Sequence, residues 1–333
     1  MRNRHGWKTA LKLWMLVVTV FLAGCAGKHA FVRETKPTVY MVKHGTQELI
    51  ERYAPVFMVE NFRETFNRIG SVTACIDERG NEDLFIDHQR PALYYMAKTF
   101  QTDRANYTNL IYRVHFQEVP FTLVPFTLTA GKNVGVMAII TLDEKEKPVL
   151  LTTVGTCGCY AAIIPTSNLP PDTYPEKWEK DSLNVYGERL PSLLDFSSFT
   201  NPKIMITLRS HVHRVMDIKI REEASLTDTD PFFVIKASLL PMDSLEKIHL
   251  NGKTTSLYHD TWPLKGYVKG SFKVWETLFL SIISLDFFVG TDKLYGDSRV
   301  TGNPFYTSLK PWNRNASDMW DFTGFLKFWG WRL

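Results

Sequence analysis

Hydrophobic positions along this chain repeat mostly with the two-residue period of strands. Leu110 to Glu118 alternates, with Leu110, Tyr112, Val114 and Phe116 on one face and Arg113, His115 and Gln117 on the other. Strict alternation predicts a half-buried strand. Val134 to Leu142 is apolar on both faces, as in a fully buried strand. The charged run Asp143 to Lys147 follows, then a second apolar strand from Pro148 to Val154. Together they predict a hairpin. Ser71 to Asp77 and Asp83 to Asp87 flank the turn-forming Glu78–Glu82 and predict another. Lys203 to Ile220 keeps one alternating phase but is too long for a typical strand, so a bend is expected near Ser210. Asn251-Gly252 marks a tight hairpin.

Helical periodicity is rarer. Thr46 to Ala54 reads as a short helix that Thr46 caps and Pro55 stops. Trp275 to Val289 aligns Trp275, Leu278, Phe279, Ile282, Leu285 and Val289 on one side, predicting a helix buried by that side. A last helix is expected from a Ser317 cap to Trp329, with Gly330 as its stop. The fold class expected is α+β and β-rich: antiparallel sheets or a sandwich-like body with a few flanking helices. Residues 36–333 are expected to form one body with a helical C-terminal region, since strands of one style continue on both sides of the proline-rich 169–174.

The first 25 residues follow another logic. Arg2, Arg4, Lys8 and Lys12 precede an apolar run from Leu13 to Ala23, and Leu22-Ala23-Gly24-Cys25 closes it. A basic start, a short apolar middle and small residues before a cut are the layout of a secretory signal. The run is shorter than the roughly 20 apolar residues a membrane span needs. Leu-Ala-Gly directly before a cysteine resembles the lipobox of bacterial lipoproteins. That resemblance implies that residues 1–24 are a removed signal peptide, that Cys25 is lipidated, and that residues 25–35 tether the body to a membrane. Ala26 in place of Asp implies outer-membrane sorting if the cell has two membranes.

Charge sharpens this expectation. The leader holds four of the chain's 39 basic residues and none of its 35 acidic ones, so the remainder is balanced. No basic excess is left for nucleic acid, and none is expected as a partner. The lipid, not a polybasic patch, must provide attachment. Hydrophobic residues at 44% and aromatics at 13% exclude global disorder by supplying a core.

Beyond Cys25 there are three cysteines, Cys75, Cys157 and Cys159. One disulfide with a free thiol, or none, are both open. A Cys157–Cys159 bridge in extended chain closes a very tight ring, and Cys75 with either is easier. His211-Val212-His213 is the sharpest candidate for chemistry, because strand residues two apart point the same way. With Asp217, or with Cys157 and Cys159 as a Cys2His2 set, the pair would suit zinc or copper. His88 and His115 are possible bases. No nucleophile elbow, phosphate loop or zinc-protease motif occurs, and Thr129–Asn133 reads as a turn. The tail from Phe305 to Trp331 concentrates aromatic rings and is expected to dock on the core. Two functions follow. The leading one is a membrane-anchored envelope lipoprotein that binds or assembles without catalysis, with an envelope protein as possible partner. The alternative is a metal-binding lipoprotein or metal-dependent enzyme built on His211 and His213.

Overall fold

A computed structural model describes residues 37–42, 48–179, 181–226 and 232–333. The expected signal peptide (1–24), Cys25, the expected tether (25–35) and Thr46 lie outside the described residues. Sixteen strands are described: β1 (Thr38–Val42), β2 (Val56–Val59), β3 (Ser71–Ile76), β4 (Glu82–Asp87), β5 (Ala92–Gln101), β6 (Asn106–Val119), β7 (Gly131–Leu142), β8 (Pro148–Gly155), β9 (Ala162–Pro165), β10 (Ser182–Val185), β11 (Glu188–Pro191), β12 (Pro202–Leu208), β13 (Val215–Glu222), β14 (Phe233–Pro241), β15 (Ile248–Leu250) and β16 (Lys253–Thr255). Four α-helices accompany them: α1 (Leu49–Arg52), α2 (Val274–Ser284), α3 (Ser298–Thr301) and α4 (Phe322–Phe328). The protein is β-rich α+β, as its pattern predicts.

Ten strands form one curled sheet in the order β13-β12-β2-β1-β14-β5-β6-β7-β8-β9. Its right half is an antiparallel meander from β5 to β9. Its left half is mixed, because β14 lies parallel to both β1 and β5, and β12 parallel to β2. Registers place the start of β1 and the ends of β2, β6, β8 and β12 on one edge of the sheet. Loops 60–70, 120–130, 156–161 and 209–214 therefore crowd that edge.

The hairpins β3–β4, β7–β8 and β15–β16 sit where expected. Asn251 and Gly252 both have left-handed backbones (φ 46° and 79°), as a tight hairpin turn requires. The reading of β6 needs correction: it is buried on both faces. Tyr112, Val114 and Phe116 enter one core with Tyr40, Phe57 and Ile206. Ile111 faces a second core, and Arg113 and His115 beside it are also fully buried. The second core exists because residues 242–333 fold back over the sheet, bringing Leu245, Phe305, Phe322, Phe325 and Trp331 onto Tyr94, Met137 and Leu150. Most of the aromatic tail thus docks on the core, with Trp312 and Trp329 left exposed. The last helix is shorter than expected. Its cap is Asp321, which accepts from the Gly324 amide, and Gly330 turns left-handed after it. Ser317 and Asp318 instead hydrogen-bond the 305–308 backbone.

Candidate functional site

The histidine pair does not lie on a strand. The expected bend near Ser210 is a full reversal between β12 and β13, and His211 (φ 73°) and His213 (φ 53°) are left-handed residues within it. The His213 and Arg209 amides donate to Arg209 and Arg214 carbonyls and close the turn. Glu188 on β11 fixes its flanks by accepting from both Arg209 and Arg214. Burial pushes the Glu188 carboxyl up, but those two guanidinium hydrogen bonds outweigh it and leave the pKa below the ordinary value.

The left-handed turn separates the rings. His211 Nε2 lies 3.3 Å from Thr127 Oγ1, and its ring meets Phe66 edge-on. His213 Nε2 lies 3.2 Å from Asn67 Oδ1, and its ring stacks on Phe116 at 4.0 Å. Burial, with the nearby His211, lowers the His213 pKa to about 3, so it is a neutral core ring at ordinary pH. Asp217 pairs with Lys219 on β13. His115 is neutral for the same reason: burial first, then Arg113, which donates to its Nε2 at 2.9 Å. Among the described residues, no group of three or more His, Cys, Asp and Glu side chains is placed to hold a metal ion.

The cysteines have a richer setting. After β8 the chain turns sharply: the Gly158 amide donates to the Gly155 carbonyl and the Gly155 amide to the Cys159 carbonyl, both at 2.8 Å. Gly158 is left-handed (φ 91°), and a Cβ there would sit 2.1 Å from the Tyr306 carbonyl oxygen. Only glycine fits, and it sets both thiols in one turn. The Cys159 amide donates to Cys157 Sγ at 3.4 Å, and Cys159 Sγ donates to Glu276 Oε1 at 3.4 Å.

Around the thiols lie four buried charges. Lys273 pairs with Asp292 at 3.1 Å, and Asp292 also accepts from Thr156. Lys293 donates to the Cys157 carbonyl at 3.2 Å and lies over the Tyr306 ring at 3.7 Å. Glu276 is 3% exposed, and its Oε2 has no hydrogen-bond partner among the described residues. Burial raises its pKa. Burial would lower that of Lys273, but Asp292 and the thiols hold it above the usual range. The hydrogen bond with Cys159 lowers the Cys157 thiol, whereas that bond and burial raise Cys159.

No known protein family, characterised protein or solved structure matches this chain. Its site must be read from its own geometry. A cavity of about 150 Å³ is lined by Cys157, Cys159, Glu276, Tyr160, Tyr186 and Tyr306 among others. A second space of about 30 Å³, room for roughly one water, has Cys157, His213, Lys273 and Asp292 on its walls. Of the expected four ligands this space holds Cys157 and His213, and the His211 ring is turned to Thr127 instead.

Lys273, Glu276, Asp292 and Lys293 escape the sequence reading, yet a signal exists. They are four of the five charges in residues 270–293, an otherwise apolar and polar-neutral run. A charge in such a run is either at the surface or paired inside, and these are inside.

The same helix reverses its expected orientation. Glu276 and Ser284 are the buried residues of α2, while Leu278, Ile282 (69% exposed), Ile283 and the following Leu285 (71%) and Phe287 (79%) face outward. The β6–β7 loop extends this surface with Phe121, Leu123 and Val124 (89%). Phe121 stacks on Trp275 at 5.8 Å, and Phe126 meets Trp275 and Phe279, joining loop and helix. Residues 119–131 carry no charge, and the only charge in 274–285 is buried Glu276. Among the described residues, no helix is long and apolar enough to cross a membrane.

Proposed function

We propose that this is a lipid-anchored envelope protein that acts by binding, and that α2 and the β6–β7 loop seat in the interfacial layer of the bilayer holding the anchor. The observation that carries this reading is the apolar face made by Ile282, Leu285, Phe287 and Val124, beside which Asp286 is paired with Arg314. Exposed patches of this kind mark membrane or protein interaction sites. An amphipathic helix with apolar and aromatic residues on one side lies in the interface plane. The dozen residues between Cys25 and β1 reach at most about 40 Å. They meet the sheet on the edge that carries the β6–β7 loop. A single acyl chain binds weakly, so a second apolar contact strengthens attachment and fixes orientation. Outer-membrane sorting follows from Ala26 if the cell has two membranes. The alternative, a zinc- or copper-binding protein built on His211 and His213, gains no support from rings engaged by Thr127 and Asn67.

The test uses the lipidated protein in vesicles, with nitroxide labels at Val124→Cys, Ile282→Cys or Phe287→Cys and a control at Lys253→Cys. Face labels should be reached by an apolar relaxant and shielded from an aqueous one, and the control should show the reverse. Face labels as water-accessible as the control would reject the bilayer as the occupant. Mass spectrometry of the same samples reports separately whether Cys25 is acylated.

A further inference from the structure

We propose that Cys157 and Cys159 form a thiol–disulfide exchange centre serving a small disulfide, or its thiol, that enters the cavity they line. The two cysteines lie in a turn whose shape Gly158 fixes against the Tyr306 carbonyl, so the Cys159 amide already meets the Cys157 sulfur before any ligand arrives. The left-handed turn at Gly158 also departs from the extended chain in which bridging residues two apart closes a very tight ring. Cys157 is buried and Cys159 partly so, and the cavity they line gives a small molecule access to both. Cys75, the remaining described thiol, is exposed on β3 and serves as an internal control.

The surrounding side chains suit exchange. Buried Lys273 offers positive charge near the Cys157 sulfur, and a cationic neighbour favours the attacking thiolate. Glu276 holds the Cys159 thiol through Oε1, and its second oxygen faces no partner among the described residues. A buried carboxylate with a raised pKa is a competent proton acceptor. The steps balance. The Cys157 thiolate attacks R–S–S–R, forms Cys157–S–S–R and releases RS⁻. Cys159 passes its proton to Glu276 and attacks the Cys157 sulfur. The Cys157–Cys159 bond forms as the second RS⁻ leaves, taking the proton from Glu276. The protein gives up two electrons and the small disulfide gains them. A bridge over one intervening residue is strained, so it is readily reduced by the reverse steps, as labile exchange centres are. The centre does not depend on how the chain is held at a membrane.

The experiment takes the full-length lipidated protein in detergent through a series of oxidised-to-reduced glutathione ratios, followed by alkylation and peptide mass mapping. Cys157 and Cys159 should lose alkylation together, and their peptide should become lighter by about 2 Da. Cys159→Ser should accumulate glutathione on Cys157. Glu276→Gln, checked for an unchanged circular dichroism spectrum, should slow ring closure by on the order of a hundredfold and leave the mixed disulfide on Cys157. Full alkylation of both cysteines in a buffer that oxidises Cys75 would overturn the proposal. So would linkage of either one only to Cys75.

Discussion

Placing one charge on the apolar face separates its role in binding from any role in folding. Ile282 is the clearest position: it lies mid-helix on α2, and 69% of it is in contact with water. Ile282→Glu therefore removes little buried surface, and its cost to folding should stay within about 0.5 kcal/mol, the range of ordinary surface changes. At a bilayer interface the arithmetic differs. Seating an isoleucine in an apolar layer contributes up to about 1.5–3 kcal/mol, and that gain disappears. A glutamate must also snorkel or be desolvated, which adds to the loss. With about 1.4 kcal/mol per tenfold, vesicle affinity should fall by on the order of tenfold. The assay is co-sedimentation of protein made without residues 1–25, wild type and variant, with anionic and with neutral vesicles. Because the charge beside the face, Asp286, is paired with Arg314, the two vesicle types should bind alike. Equal binding of variant and wild type at matched melting temperatures would refute the reasoning. So would wild-type binding that requires anionic lipid.

Three further outcomes are expected. Cys25→Ser should abolish retention in the membrane fraction, and intact-mass analysis of the wild type should find an acylated N-terminus at Cys25; an unmodified or differently cut N-terminus would refute the anchor. Phe325→Ala, which empties a fully buried site on α4, should cost about 3–5 kcal/mol, whereas Trp329→Ala, 43% exposed with its indole N–H on Thr307, should cost much less; thermal melts that rank the two the other way would discount the docking of the tail. His213 has a folded pKa of about 3 against an unfolded value near 6.5. Its stabilising contribution is therefore complete above roughly pH 6.5 and falls on acidification toward pH 3, by on the order of 1 kcal/mol per pH unit in between. His213→Gln should flatten that part of the urea-stability profile while His115 keeps its own share, and an unchanged slope would contradict the assignment.

The local pairings were legible from the chain because each has a short-range cause. Asn251-Gly252 specifies its turn, and the charged Asp143–Lys147 loop separates two apolar runs that can only pair. The mixed left half of the sheet was not legible. β14 joins β1 and β5 in parallel, and parallel pairing leaves no turn signal between the partners. β6 shows why alternation misleads: a polar face reads as wet unless a distant segment covers it, and here residues 242–333 do so. The His-x-His pattern failed for a related reason. Period-two logic assumes extended backbone, and two left-handed residues in a six-residue turn send the rings to different partners. Cys157-Gly158-Cys159 was visible as a motif, but its charged neighbours come from more than a hundred residues away.

Helix α2 shows the two anomalies of this fold back to back. Its outer side leaves Leu278, Ile282 and Ile283 to solvent, and its inner side buries Glu276 beside Lys273 and Asp292. Turning the helix half-way round its axis would bury the aliphatic side chains and return Glu276 to water. Stability alone favours that rotation on both counts, since apolar burial contributes and an incompletely partnered buried carboxyl costs. The contacts that oppose it are specific: Lys273 to Asp292 just before the helix, Glu276 to Cys159 in its first turn, and Arg314 to the Ser284 carbonyl at its end. Natural folds violate such local rules where a site needs them violated. Here the violation is held at both ends of one helix, which puts a carboxyl on the thiols and an aliphatic surface toward solvent by the same set of contacts. A change that frees Glu276 from Cys159 therefore removes one of the restraints on the outer face as well, and the cavity and the apolar surface are parts of one construction.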